Sequence, residues 1–193
     1  FLPPEDAMLG EGLLREKQGH GFDAVSPGIL MARAKAEGGR IVFPGGSSYR
    51  VLVLPASATM TPQLLEKIGQ LLRLGITAIG LPPVKSPSLS GFPGCDERVA
   101  ALAREIWGGE AMPARVAERE VGEGRIVWGG ESTPPASADR LYTSYASAVA
   151  YLERQGIGPV FVSDGPVRYH QRRTEARDIF FVSNRQGEAL AAN

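Results

Sequence analysis

The densest grouping of side chains able to do chemistry is Arg168-Tyr169-His170-Gln171-Arg172-Arg173-Thr174-Glu175. Side chains alternate along an extended strand, so Arg168, His170 and Arg172 share one face and Tyr169 and Arg173 the other. Such a row of donors suits a carboxylate, a carbohydrate or a neighbouring domain, because Arg forks a carboxylate with two parallel charge-assisted bonds. The same charges would also protect an exposed sheet edge from pairing with another chain. His170, Arg172, Arg173 and Arg168 are thus the candidate binding or interface residues, expected to be exposed and unpaired when the chain stands alone.

Other chemistry is less well provided for. Cys95 follows Pro93-Gly94 near a helix start, a setting that can activate a thiol, with His20 and His170 as conceivable bases. The strand before it ends fourteen residues earlier, so a nucleophile elbow is missing and a surface thiol is the plainer reading. Ser47, Ser48 and Ser57 lack the G-x-S-x-G frame. Glycoside hydrolysis needs two opposed carboxylates, and Glu105, Glu110, Glu118, Glu120, Glu123 and Glu131 supply number without an evident pair; surface charge accounts for them. The turn Pro55-Ala56-Ser57-Ala58-Thr59-Met60 has neither the glycines nor the lysine of a phosphate-cradling loop. One cysteine and two histidines exclude an internal disulfide, a cysteine-rich zinc site and a nitrogen-rich metal cage, so no cofactor is expected.

These residues sit in a chain of 193 residues with 21 basic and 21 acidic side chains. That balance argues against nucleic acid and against a polybasic membrane surface as partners, and no apolar run reaches the length of a membrane span. Gly 24 and Pro 15 together make up about a fifth of the chain, so many short elements are expected. The chain begins at Phe1 and reads as an excised fragment.

The elements that must position the candidates follow from capping and periodicity. Residues 1–25 form an opening segment without a certain core element. Ser26-Pro27 predicts a helix over 27–36 closed by Gly38-Gly39, and Thr61-Pro62 one over 62–74 with Leu64, Leu65, Ile68, Leu71 and Leu72 on its apolar side. Asp96 is expected to cap a helix over 96–107, and the stripe Leu141, Tyr145, Val149, Leu152 gives one over 141–155. Strands are expected at Arg40-Ile41-Val42-Phe43, around the turn Pro44-Gly45-Gly46 from Tyr49 to Leu54, at Ile76 to Leu81 and at Gly124 to Gly129. A strand, helix and strand over 50–81 implies a parallel pair with a right-handed crossover. The Pro- and Ser-rich stretch 82–93 lies at the carboxyl end of a strand and is a candidate functional loop. Beyond residue 158 the pattern changes to an antiparallel hairpin, Pro159 to Gln171 and Asp178 to Ser183, joined through 172–177. The fold class is therefore α/β, a three-layer, mainly parallel sheet over 26–158 followed by a β-hairpin over 159–193.

Several segments together resemble glycoside hydrolase family 106, the α-L-rhamnosidase-like enzymes: Gly21 to Ser26, Gly39 to Pro44, Ser48 to Pro55, Met60-Thr61-Pro62, Ser86 to Leu89, and His170-Gln171-Arg172-Arg173 leading to Asp178 to Asn184. The resemblance runs from about residue 20 to the end, and its first three segments also look like the amidotransferase-like domain of family 42 β-galactosidases. It implies a parent enzyme with a catalytic barrel first, an accessory flavodoxin-like or amidotransferase-like domain next and β-sandwich domains later. This chain would be the accessory domain plus the first hairpin of a β-sandwich domain, so catalytic carboxylates and calcium ligands would lie in the barrel. Expected partners are the barrel and β-sandwich domains, with carbohydrate reached through the parent, which is expected in the periplasm or outside a bacterial cell. The competing reading is a self-sufficient small hydrolase of amidotransferase-like fold using Cys95.

Overall fold

The computed structural model describes residues 19–109, 113–130, 145–163 and 167–184. Ser26 caps the first helix, α1 (Pro27–Arg33), its hydroxyl accepting from the amide of Ile29. The chain then turns extended at Ala34 and runs β1 (Lys35–Glu37), β2 (Arg40–Val42) and β3 (Ser48–Tyr49), which pair in order as a small antiparallel sheet. Gly38 and Gly39 both take positive φ, 56° and 73°, which is what a two-residue hairpin turn between Glu37 and Arg40 requires.

The second sheet carries the core. It is built from β4 (Val51–Val53), β5 (Thr77–Ile79), β6 (Ala117–Val121) and β7 (Gly124–Trp128), in the order β4-β5-β7-β6. β4, β5 and β7 run parallel, and β6 closes the edge antiparallel to β7. Two helices connect these strands, α2 (Pro62–Arg73), capped by the Thr61 hydroxyl, and α3 (Cys95–Trp107). α4 (Tyr145–Arg154) follows β7, and the chain ends in the ladder of β8 (Val167–Arg173) with β9 (Asp178–Asn184).

Strand alternation divides the packing. Ala78 and Ile126 join Leu65, Ile68, Leu71 and Leu72 of α2 and Val99, Leu102 and Ile106 of α3 in one cluster. Ile79 and Val127 pack instead with Ala148 and Tyr151 of α4, with Val51 and Val53 against them. Burying each aliphatic side chain of this kind contributes roughly 1.5–3 kcal/mol. The buried Trp107 indole N–H donates to the Gly80 carbonyl at 3.0 Å, tying the end of α3 to the end of β5. Gly124 is needed for close approach: a Cβ there would lie 2.2 Å from the Ile76 carbonyl oxygen.

The mixed α/β class with a parallel core sheet agrees with expectation, and several boundaries do not. The helix expected over 27–36 stops at Arg33, because residues 35–37 gain a ladder with β2 and Gly38-Gly39 is a hairpin turn rather than a helix stop. The strand expected over Tyr49 to Leu54 splits at Arg50 into β3 and β4, which belong to different sheets. Asp96 does not cap α3; it lies inside the first turn and accepts from the amide of Ser86 at 2.8 Å. Two strands were not expected, β1 and β6, both short or charged edge segments. Residues 141–144 of the last expected helix, and residues 1–18 of the opening segment, lie outside the described residues.

Candidate functional site

The hairpin of β8 and β9 places the candidate donors in a ladder with Arg168 opposite Ser183, His170 opposite Phe181, Arg172 opposite Ile179 and Arg173 opposite Asp178. Arg172 and Arg173, expected in the connection, are paired strand residues, and the connection is 174–177, closed by the Thr174 amide to the Arg177 carbonyl at 2.9 Å. Arg173 corrects the expectation of an unpaired donor. Its Nε and Nη2 donate to the two Asp178 oxygens at 2.7 and 3.1 Å, and Gln171 donates to Asp178 at 2.8 Å. These bonds, the one from Arg173 first, hold the Asp178 carboxyl below its ordinary value, while Asp178 raises the Arg173 guanidinium. His170 and Arg172 are exposed and make no hydrogen bond or ion pair with a described residue.

One face of the hairpin has an aromatic anchor. Phe161 stacks on Tyr169 with ring centroids 4.6 Å apart and lies 5.6 Å from Phe180, and burial raises the Tyr169 phenol. The other face presents His170 and Arg172 beside Phe181, which is 61% exposed, and Ile179. Every residue of β9 is exposed although four of its seven side chains are apolar.

Cys95 is buried at the start of α3, contrary to the surface position expected, and its Sγ donates to the Ser88 carbonyl at 3.7 Å. Both of its neighbours, Ser88 O and Asp96 Oδ1, are acceptors, an arrangement that uses the thiol as a donor. The glutamates behave as surface charge. Arg73 pairs with Glu105, Arg98 with Glu66 at 2.7 Å, and Glu118 takes Arg154 at 3.2 Å and Arg125 at 3.6 Å. Glu110 and Glu131 lie outside the described residues. The loop 82–93 leaves Val84, Leu89 and Phe92 well exposed, while the Ser86 hydroxyl bonds the amide and carbonyl of Ser88 and the Ser88 hydroxyl accepts from the Ser90 amide.

Sequence reasoning missed a cleft of about 480 Å³ at the amino-terminal ends of β4 and β5. Arg40, Arg50, Thr77, Tyr151 and Gln155 line it, with the Gly38-Gly39 turn at its rim. Arg40 is fixed by two bonds of 3.2 Å to Ser48, and Thr77 and Tyr151 bring their hydroxyls within 3.4 Å. Burial, then the charges of Arg50 and Arg173, disfavour the charged form of Arg40. The cleft joins residues from four separate segments, and the one available signal was Arg50, a charge interrupting an apolar run.

Known proteins add to this geometry. A putative β-glucuronidase of Formosa agariphila is 37% identical over 108 residues, covering 56% of this chain and 8% of that protein. The solved rhamnosidase of Novosphingobium sp. PP1Y superposes with a TM-score of 0.63 at 21% identity, over 86% of this chain and 14% of that one, a likeness of fold. The chain therefore spans a small part of the length of either relative. The glycoside hydrolase 106 family model, whose description is α-L-rhamnosidase, matches residues 6–193, and the chain accordingly belongs to that family.

Proposed function

We propose that this chain is a non-catalytic accessory or scaffold domain of a bacterial, α-L-rhamnosidase-like glycoside hydrolase that breaks down plant or microbial polysaccharide. In this reading residues 26–158 are a three-layer unit of flavodoxin-like or amidotransferase-like type, and 159–193 open a β-sandwich domain. The hairpin docks on the remaining polypeptide, the barrel or the β-sandwich, through His170, Arg172 and the exposed side of β9. Arg168 and Arg173 belong to the same strand, Arg173 as the residue that ties the hairpin to itself through Asp178.

The observation that carries this reading is β9, an apolar strand exposed along its whole length. A two-stranded hairpin is marginal by itself, and burying Phe181 and Ile179 against a neighbour supplies what it lacks. Glu105, Glu66 and Glu118 are each engaged by arginine, as surface charge rather than as members of an opposed catalytic couple. The placement of helical residues against alternate sides of the core sheet supports the three-layer assignment. The buried Cys95, its thiol donating to the Ser88 carbonyl, weighs against the alternative of a cysteine hydrolase.

The test is an assay of this chain alone and of the longer polypeptide that carries it, on an aryl rhamnoside and on amide substrates. The expected result is turnover of the rhamnoside by the longer polypeptide only, unaffected by Cys95→Ser. Turnover by the chain alone that vanishes in Cys95→Ser would overturn the reading.

A further inference from the structure

The cleft beside β4 and β5 lies at the opposite end of the parallel strands from the loop 82–93, with the Arg173 end of the hairpin near enough for its charge to act on Arg40. Its position follows from the split at Arg50: the chain leaves the small sheet at Tyr49 and enters the core sheet at Val51, so Arg50 stands in the seam between them. Arg40 faces the same space from β2, with its guanidinium oriented by Ser48. Among the described residues no acidic side chain lines the cleft, and neither Arg40 nor Arg50 has a carboxylate partner. Two guanidiniums over one recess repel each other, and the repulsion is stronger where solvent is partly excluded. An anion bound there offsets that repulsion and accepts bonds in which both partners are charged, which a neutral ligand cannot do.

Beside the Gly38-Gly39 rim, the rest of the lining sets the hydroxyl and amide groups of Thr77, Tyr151 and Gln155 among apolar Val51, Leu152 and Ile157. These groups donate and accept, as the hydroxyls of a sugar do. A volume of about 480 Å³ lies within the span of small-molecule sites and holds a mono- or disaccharide. We infer that this cleft binds a carboxylate-bearing saccharide, its carboxylate on Arg40 and Arg50 and its hydroxyls on Thr77, Tyr151 and Gln155. The negative charge follows from the lining alone; the choice of a carboxylate-bearing sugar as its carrier rests on the glycosidase-related reading above.

Heteronuclear NMR titration of the 193-residue chain with sodium glucuronate, with glucose and with sodium acetate tests this. Glucuronate is expected to shift the amide signals of Gly39, Val51 and Thr77 saturably in the millimolar range, with glucose and acetate each weaker by about tenfold or more. Arg50→Gln is the informative variant, since Arg40 also ties β2 to β3; it is expected to weaken glucuronate about tenfold with the other signals in place. No saturable shift, equal affinity for glucose or for acetate, or unchanged affinity in Arg50→Gln would overturn the inference. The titration needs no turnover, so its failure leaves the accessory-domain reading to be decided by the rhamnoside assay.

Discussion

The core sheet and the terminal hairpin are built from similar apolar strand residues and meet opposite fates. Ile79, Ile126 and Val127 are almost wholly buried between helices, whereas Ile179, Phe181 and Val182 on β9 are exposed, Phe181 to 61%. The difference lies in what the local chain supplies. The crossover helices α2 and α3 return to the core sheet and cover it, while among the described residues no helix covers β9. The apolar residues of the core sheet are thus covered within the described chain, while those of β9 are left for the docking proposed above to bury.

The largest expected effects separate the two regions. Leu65→Ala and Ile126→Ala, each opening a cavity in the body, should lower stability by about 2–5 kcal/mol in denaturant unfolding of the chain. Phe181→Ala should change the same measurement by less than about 0.5 kcal/mol. A large loss from Phe181→Ala in the chain alone would break the contrast. Next, Trp107→Phe leaves the Gly80 carbonyl without its buried donor and should cost about 1–3 kcal/mol. Thr61→Ala removes the cap of α2 and should cost about 1 kcal/mol, read from the same unfolding curves.

The smallest effect is a pH dependence confined to the hairpin. Asp178 has its carboxyl held below the unfolded value of about 3.9, so the Arg173 pair contributes fully above that pH and is lost as pH falls through the lower folded value. The signals of Arg173 and Gln171 should therefore move on acidification below the ordinary Asp range, and Asp178→Asn should abolish that movement. Unfolding of the body should show no change between the variant and the parent chain above that range.

How much of this was legible in the sequence depended on whether the signal was local. Helix α2 was readable because Thr61-Pro62 and the leucine spacing are written within a few residues, and the hairpin because its two alternating runs adjoin. β6 was not, since Ala117 to Val121 is a charged edge strand whose only evidence is its partner β7. The split at Arg50 depends on which sheet each half joins, a choice made by tertiary packing and invisible in a near-continuous apolar run. Among the candidate donors, strand alternation was enough to place His170 and Arg172 together, but the Arg173 to Asp178 bond required the register of the ladder. The cleft was illegible because its walls, residues 38–40, 50–51, 77 and 151–157, are far apart in sequence and meet only in the fold.

Amide hydrogen exchange of the chain alone and within the longer polypeptide measures the contrast between body and hairpin directly. The account predicts slow exchange in β5 and β7 in both states, and fast exchange across β8 and β9 in the chain alone that becomes slow in the longer polypeptide. Equal protection of the hairpin in the two states would contradict it.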